Sequence, residues 1–220
     1  MANVNMTDMR GPINAVIFDF GGVLMRTESQ TPRIRMATRY GMTIGELTAL
    51  VFDSPDNHLV ELGKLSTAQH WSRISESLCR HQSGDPEVLR REFFSGDALD
   101  LALMRYISAL RSLCKTALLS NAGEALLDQI ADLGIASCFD AVIVSAAVGV
   151  RKPSPEIFQI ALSSVGVEPD RTAFVDDSGP NIAAATALGM HAIRFTTRQD
   201  TITQLNQLLH SHCHRDGGPA

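Results

Sequence analysis

Four short stretches of this chain carry side chains that could do chemistry: Asp19-Phe20-Gly21-Gly22, Ser120-Asn121, Lys152-Pro153, and Asp176-Asp177 followed at a distance by Asn181. They offer three carboxylates, an ammonium, a hydroxyl and carboxamide groups. Each stretch alone has an ordinary reading. An Asp after a strand commonly shapes a turn or caps a helix, Ser120-Asn121 and Asp177-Ser178 could cap the helices that follow, and most lysines are surface lysines. Capping needs one acceptor, however, and Asp176-Asp177 supplies two adjacent carboxylates. Facing Asp19, they would repel one another unless a cation neutralised them. Hard oxygen ligands with open positions suit Mg²⁺, which keeps part of its water shell and shares its sphere with phosphate. Lys152, held nearby, would balance the carboxylates and a bound dianion.

The elements that must position these residues follow from the pattern of apolar runs. Residues 13–18 form a short apolar run of strand length, closed by Gly21 and Gly22. From residue 115 strands and helices alternate, with strands predicted at 116–120, 141–145, 172–176 and 192–195. The helices between them cover 124–133, 155–165 and 181–188, each followed by a glycine (Gly134, Gly166, Gly189), and a last helix covers 202–209. This alternation predicts an α/β fold, a Rossmann-like parallel sheet with helices on both faces. In such a sheet the four motif-bearing loops leave the same edge, where ligands bind. Residues 25–112 show no convincing strand. They read as helices broken at Gly41, Ser54-Pro55-Asp56, Gly63, Gly84-Asp85-Pro86 and Gly96, an inserted all-α cap. The expected division is a catalytic core of residues 1–24 and 113–220 with a cap of 25–112.

Composition excludes several classes. With 220 residues, 45% hydrophobic, the chain can bury an ordinary core without staples. Lys and Arg number 19 against 24 Asp and Glu, which argues against a general nucleic-acid binder. No apolar run reaches membrane-spanning length, and the polar residues 1–12 do not read as a secretory signal, so a cytoplasmic location is expected. Cys79, Cys114, Cys138 and Cys213 are widely spaced. Cys114 and Cys138 read as small core side chains. The tail His210-Ser211-His212-Cys213-His214 reads as a polar terminus, since a metal site needs fixed geometry.

In their order and placement at strand ends, Asp19-Phe-Gly-Gly-Val, Ser120-Asn121, Lys152-Pro153 and Asp176-Asp177-x-x-x-Asn181 resemble the motifs of the haloacid dehalogenase-like hydrolases. The insertion resembles the α-helical cap of the subgroup that includes sugar-phosphate phosphatases. The resemblance covers residues 13–24 and 115–196 and is only suggestive in the cap, at Gly63-Lys64-Leu65-Ser66. It implies a Mg²⁺-dependent phosphomonoesterase acting on a small phosphorylated metabolite, such as a sugar phosphate. Asp19 would attack phosphorus to give an aspartyl-phosphate. Mg²⁺ would be held by Asp19, the Gly21 carbonyl, Asp177 and Asp176, the last directly or through water. Ser120 and Asn121 would donate to the phosphoryl group, Lys152 would stabilise its charge, and Lys64, with Arg26, Arg33 and Arg35, could hold a second anionic group. Gly21 departs from the pattern, because the family usually has there the Asp that protonates the leaving oxygen. A water, Lys64, His70 or the substrate would have to substitute. Two other readings remain open: a catalytically weak or silent relative that binds a phosphorylated ligand or a protein partner, and a 2-haloacid dehalogenase. Oligomeric state is not readable from the sequence.

Overall fold

Five strands pair in parallel to form the centre of the protein, the three central ones mostly buried and the two edge strands less so. In the computed structural model, which describes residues 13–78 and 84–210, these are β1 (Ala15–Phe18), β4 (Lys115–Ser120), β5 (Ala141–Val144), β6 (Thr172–Asp176) and β7 (His191–Arg194). Their order in the sheet is β5-β4-β1-β6-β7. β1 lies in the middle, with Phe18 in register with Leu118 on one side and Val175 on the other. Strand alternation divides the core. Val16 and Phe18 join a cluster with Leu118 and Val175 on one face, while Ala15 and Ile17 join Leu119 and Phe174 on the other. The first face is covered by α6 (Leu101–Leu110), α7 (Ala125–Asp132) and α11 (Arg198–His210), the second by α9 (Pro155–Val165) and α10 (Gly179–Ala187). The single turn α8 (Ser145–Val148) follows β5. Gly134, Gly166 and Gly189 take φ of 67°, 67° and 88°, so the glycines expected to end the helices do sit where a left-handed residue is required.

The insertion after β1 consists of α1 (Thr31–Arg39), α2 (Ile44–Phe52), α3 (Pro55–Glu61), α4 (Thr67–Leu78) and α5 (Pro86–Phe94). Local chemistry starts these helices where the sequence breaks fall. Thr43 and Glu46 form a reciprocal cap on α2, Ser54 caps α3 ahead of Pro55, and Asp85 caps α5 ahead of Pro86. Their apolar faces close a separate core of Met36, Leu47, Val51, Trp71, Ile74 and Phe93.

Two features differ from the sequence expectation. The insertion is not wholly helical: β2 (Met25–Thr27) and β3 (Asp97–Leu99) pair antiparallel at its base, with Met25 opposite Leu99. Three-residue strands leave too little alternation to be seen in a sequence. In addition, α6, read as the end of the insertion, packs on the sheet through Leu103, Ile107 and Leu110. Its periodicity shows one buried face but not the surface that face meets. Cys114 and Cys138 are half-buried and pack against the same core. Cys79 and the part of the His/Cys tail beyond His210, with Cys213, lie outside the described residues. Among the described residues no helix is long and apolar enough to cross a membrane.

Asp100 ties the insertion to the sheet domain. Its carboxylate accepts from the Ala102 and Leu103 amides at the start of α6, from Arg26 at 2.8 Å and from Arg198 at 2.8 Å. Burial works to raise its pKa, but the Leu103 amide and the two guanidinium groups outweigh burial and hold it at about 2. A carboxyl depressed in the folded state stabilises above its unfolded pKa and loses that contribution as pH falls. Wild type should therefore exceed Asp100→Asn by about 2 kcal/mol at neutral pH. The advantage should fade between about pH 4 and about pH 2 in urea titrations, and an unchanged gap at pH 2 would contradict the assignment.

Candidate active site

The sheet brings the predicted residues together at the carboxyl ends of β1, β4 and β6. β1 delivers Asp19, whose amide continues the ladder to the Val175 carbonyl at 2.9 Å. β6 ends on Asp176, and Asp177 follows it. The Lys152 ammonium bridges the two buried carboxylates, 2.8 Å from Asp19 Oδ1 and 2.6 Å from Asp176 Oδ2, and also donates to the Leu119 carbonyl at 3.0 Å. Lys152 is 1% exposed, Asp176 0% and Asp19 7%. Burial alone would lower the Lys152 pKa, but Asp19 and Asp176 outweigh it and hold the ammonium above its ordinary range. Burial pushes Asp19 up to about 7. Lys152 opposes that rise and Asp176 adds to it. Burial and the Asp176 charge raise Asp177 as well.

The two oxygens of Asp19 are not equivalent. Oδ1 accepts from the Phe20 amide at 2.7 Å and from Lys152, whereas Oδ2 accepts no hydrogen bond among the described residues. Asp176 is fully engaged: Oδ1 accepts from the Ser178 amide and Asn181, and Oδ2 from Lys152 and Asn181. Four contacts use all the lone-pair directions of a carboxylate, so direct contact of Asp176 with a cation would displace one of them. The Asn181 position in the fourth motif is thus explained as the clamp on Asp176.

Oxygen atoms of Asp19, Asp176 and Asp177 lie within 4.8 Å of one another. Three carboxylates against one ammonium leave the cluster negative, and the donors are all hard oxygens, so the residues fit a small divalent cation. Gly22 takes φ 77°, and a Cβ at this position would overlap Asp177 Oδ2. The glycine is what lets the Asp19 loop pass so close to Asp177. At Gly21 a Cβ would meet nothing within 4 Å.

The other sequence candidates take different places. Ser120 lines the cavity above the site, and its hydroxyl has no protein partner among the described residues. The Asn121 carboxamide is committed to the Lys152 backbone, accepting from its amide at 2.7 Å and donating to its carbonyl at 2.9 Å. Lys64 is exposed and is not part of the cavity lining. Arg35 is exposed, and Arg33 is buried on Phe93, donating Nε to the Phe93 carbonyl and Nη2 to both oxygens of Asp97. His70 is buried with Nε2 3.1 Å from the Val51 carbonyl, which can only accept, so Nε2 carries the proton. The roles of Asn181 and Asn121 were not readable in the sequence, because an Asn that grips a neighbouring motif looks like one that grips a ligand.

The cavity measures about 650 Å³ and lies between the sheet edge and the insertion. Gly21, Ser120, Asn121 and Asp177 line its sheet side. Asp19 is not itself part of the lining, but its chain neighbours Phe20 and Gly21 are. The insertion meets the sheet domain closely around it. Thr67 donates its amide to Glu124 at 2.9 Å, and Glu61 pairs with Arg151 at 2.8 Å. At Gly63 and Gly123 a Cβ would overlap Ala146 and Thr67 respectively.

A Rossmann-like sheet with this polar cluster at its edge defines a class, and comparison with known proteins places the chain within it. Residues 13–189 match the model of the haloacid dehalogenase-like hydrolase family. The chain belongs to that family. It is 25% identical to a D-ribitol-5-phosphate phosphatase of Bacteroides thetaiotaomicron over 208 residues, 90% of this chain and 100% of that protein. It is 37% identical over 71 residues to acyl-CoA dehydrogenase family member 10 of Mus musculus, of which it spans only 7%. The fold matches a solved family enzyme of Bacteroides thetaiotaomicron in complex with magnesium and inorganic phosphate, with TM-score 0.70 at 20% identity, covering 84% of this chain and 96% of that one.

Proposed function

We propose that this chain is a Mg²⁺-dependent phosphomonoesterase that hydrolyses a small phosphorylated metabolite through an aspartyl-phosphate on Asp19. The observation that carries the reading is the Asp19 carboxylate at a parallel strand end, with one oxygen fixed by Phe20 and Lys152 and the other free. The phosphatase among its full-length relatives supports it.

Asp19 Oδ2 attacks phosphorus and the bond to the leaving oxygen breaks. Water then attacks the aspartyl-phosphate, releases inorganic phosphate and restores the carboxylate, so that one hard displacement becomes two easier ones. Asp19, Asp177 and the Gly21 carbonyl would hold Mg²⁺, with Asp176 reaching it through water. When bound, the ion offsets repulsion between carboxylate and phosphate and stabilises charge on the transferring group. Lys152 stabilises the same charge, and the free Ser120 hydroxyl donates to a phosphoryl oxygen. Asn121 and Asp176 position Lys152. The helical insertion acts as the cap that excludes water.

The test is phosphate release from p-nitrophenyl phosphate, acetyl phosphate and a metabolite panel, with Mg²⁺ and with EDTA. Release that requires Mg²⁺ is expected, and undiminished release in EDTA would refute the metal role. Gly21 favours one second reading, a silent relative that binds a phosphorylated ligand. A folded protein that binds Mg²⁺ and releases no phosphate would select it. Because Gly21 has open space around it, Gly21→Asp should be accommodated. It should accelerate poor leaving groups such as alkyl phosphates by about 10²–10⁴-fold, with little change for acetyl phosphate. Equal changes for all leaving groups would refute the view that a proton donor is what the site lacks.

A further inference from the structure

We propose that the alcohol released by this site is neutral and largely apolar, so that the substrate carries its phosphate as its only charge. The inference rests on the phosphomonoesterase reading and concerns the far side of the same cavity. That wall carries Val51, Phe52, Val60, Trp71 and Phe94 of the insertion, and Leu126 of α7 adds to it from the sheet domain. The aromatic rings form a continuous surface, with Phe52 and Trp71 packed edge-on against Phe94 at centroid distances of 6.1 and 6.0 Å. The volume of about 650 Å³ falls among pockets that enclose most of a small molecule.

The cations that line the cavity are all in ion pairs. Arg26 holds Asp100 at 2.8 Å, Arg33 grips both oxygens of Asp97 at 2.8 Å, and Arg90 pairs with Glu87 at 2.9 Å. A second anionic group on the substrate would have to share a guanidinium whose charge a carboxylate already neutralises, and burying it without a cation of its own would be costly. Lys64, the lysine expected to serve such a group, is exposed and outside the lining. A polyhydroxylated chain would have to give up water for a lining that is mostly rings and methyl groups on this side, where the polar members Asn57, Thr67 and His70 already bond the Phe52 carbonyl, Glu124 and the Val51 carbonyl. An apolar body gains from the same wall, and its phosphate still reaches the Ser120 hydroxyl and the cation site at Asp177 on the opposite side.

Two measurements test this, one of turnover and one of binding. The 4-alkylphenyl phosphates from methyl to butyl share nearly the same leaving-group acidity, so a trend in kcat/KM reports the cavity. It should rise about fourfold for each methylene enclosed. 4-Carboxyphenyl phosphate should fall at least about tenfold below the 4-methyl compound. D-Ribitol 5-phosphate should be a poorer substrate than 4-butylphenyl phosphate. Calorimetric titration with n-alkylphosphonates and Mg²⁺ reads the same wall without chemistry, and affinity should grow with chain length. In Phe52→Ala the ratio of butyl to methyl rates should shrink several-fold. A flat or falling series, or preference for the polyol, with p-nitrophenyl phosphate still hydrolysed, would overturn the proposal and leave the phosphomonoesterase reading intact. Chain-length-dependent phosphonate binding without any phosphate release would support the apolar site and overturn the phosphatase. Chain-independent binding with no release would overturn both.

Discussion

Asp19→Asn should abolish phosphate release, by at least about 10⁴-fold, while leaving the folded protein no less stable. The amide has nearly the shape of the carboxylate but is too poor a nucleophile to form the aspartyl-phosphate. The stability half of the expectation comes from the burial of this group. Asp19 sits in a cluster with more carboxylates than cations, and burial raises its pKa to about 7. A group whose folded pKa lies above its unfolded value contributes stability below the unfolded value and loses it as pH rises through the folded one. At pH 8 the charged Asp19 is therefore a net cost to the metal-free fold, and an uncharged side chain removes that cost. Lys152 keeps its second partner, Asp176, 2.6 Å away. Two measurements check the result together: single-turnover phosphate release, and thermal unfolding in EDTA and in Mg²⁺. Wild type should gain stability from Mg²⁺ by mass action and the variant should gain less, because one ligand is weakened. Full activity in the variant would remove Asp19 as the nucleophile. Activity lost together with several kcal/mol of stability would make it a structural residue.

The sheet edge was readable from sequence because each part announces itself locally. The four motif-bearing strands are largely apolar runs of four to six residues, near-continuous because helices cover both faces, and each gives way to a polar or glycine residue near the point where the chain leaves the core. The glycines after α7, α9 and α10 mark their ends for the same local reason, a backbone turn that other residues resist. What could not be read are relations between distant residues. The periodicity of α6 shows a buried face, but only tertiary packing decides that it meets the sheet. Arg33 looks like a surface charge until Asp97, 64 positions later, is seen to hold it over Phe93. Asn121 looks like a ligand contact, and Asn181 has no readable task in its motif, until one is found on the Lys152 backbone and the other on Asp176. In each case the residue type was informative and its partner was not, because the partner lies far away in sequence.

Lys152→Met should destabilise the metal-free protein by about 3–5 kcal/mol at pH 8 and reduce turnover by about 10²–10³-fold. Methionine nearly matches the length and apolar volume of the lysine stem, so packing changes little and the charge is what is lost. That charge lies 2.8 Å from Asp19 and 2.6 Å from Asp176, in a place almost closed to water. Removing it leaves two buried carboxylates with no cation, and a buried anion without a partner either takes up a proton or unfolds its surroundings. The defect should therefore depend on pH in a definite sense. Carboxyls raised in the folded state cost nothing below their unfolded pKa, so the variant should approach wild-type stability near about pH 4 and fall progressively behind as pH rises. Two further arms separate charge from packing. Mg²⁺ should restore part of the stability, since a divalent cation replaces some of the lost positive charge. Adding Asp19→Asn to Lys152→Met should also restore part of it, a non-additivity that a simple cavity would not produce. A variant as stable as wild type at pH 8 in EDTA would mean that the ammonium does not balance this cluster, and the role given to Lys152 in transition-state stabilisation would fall with it.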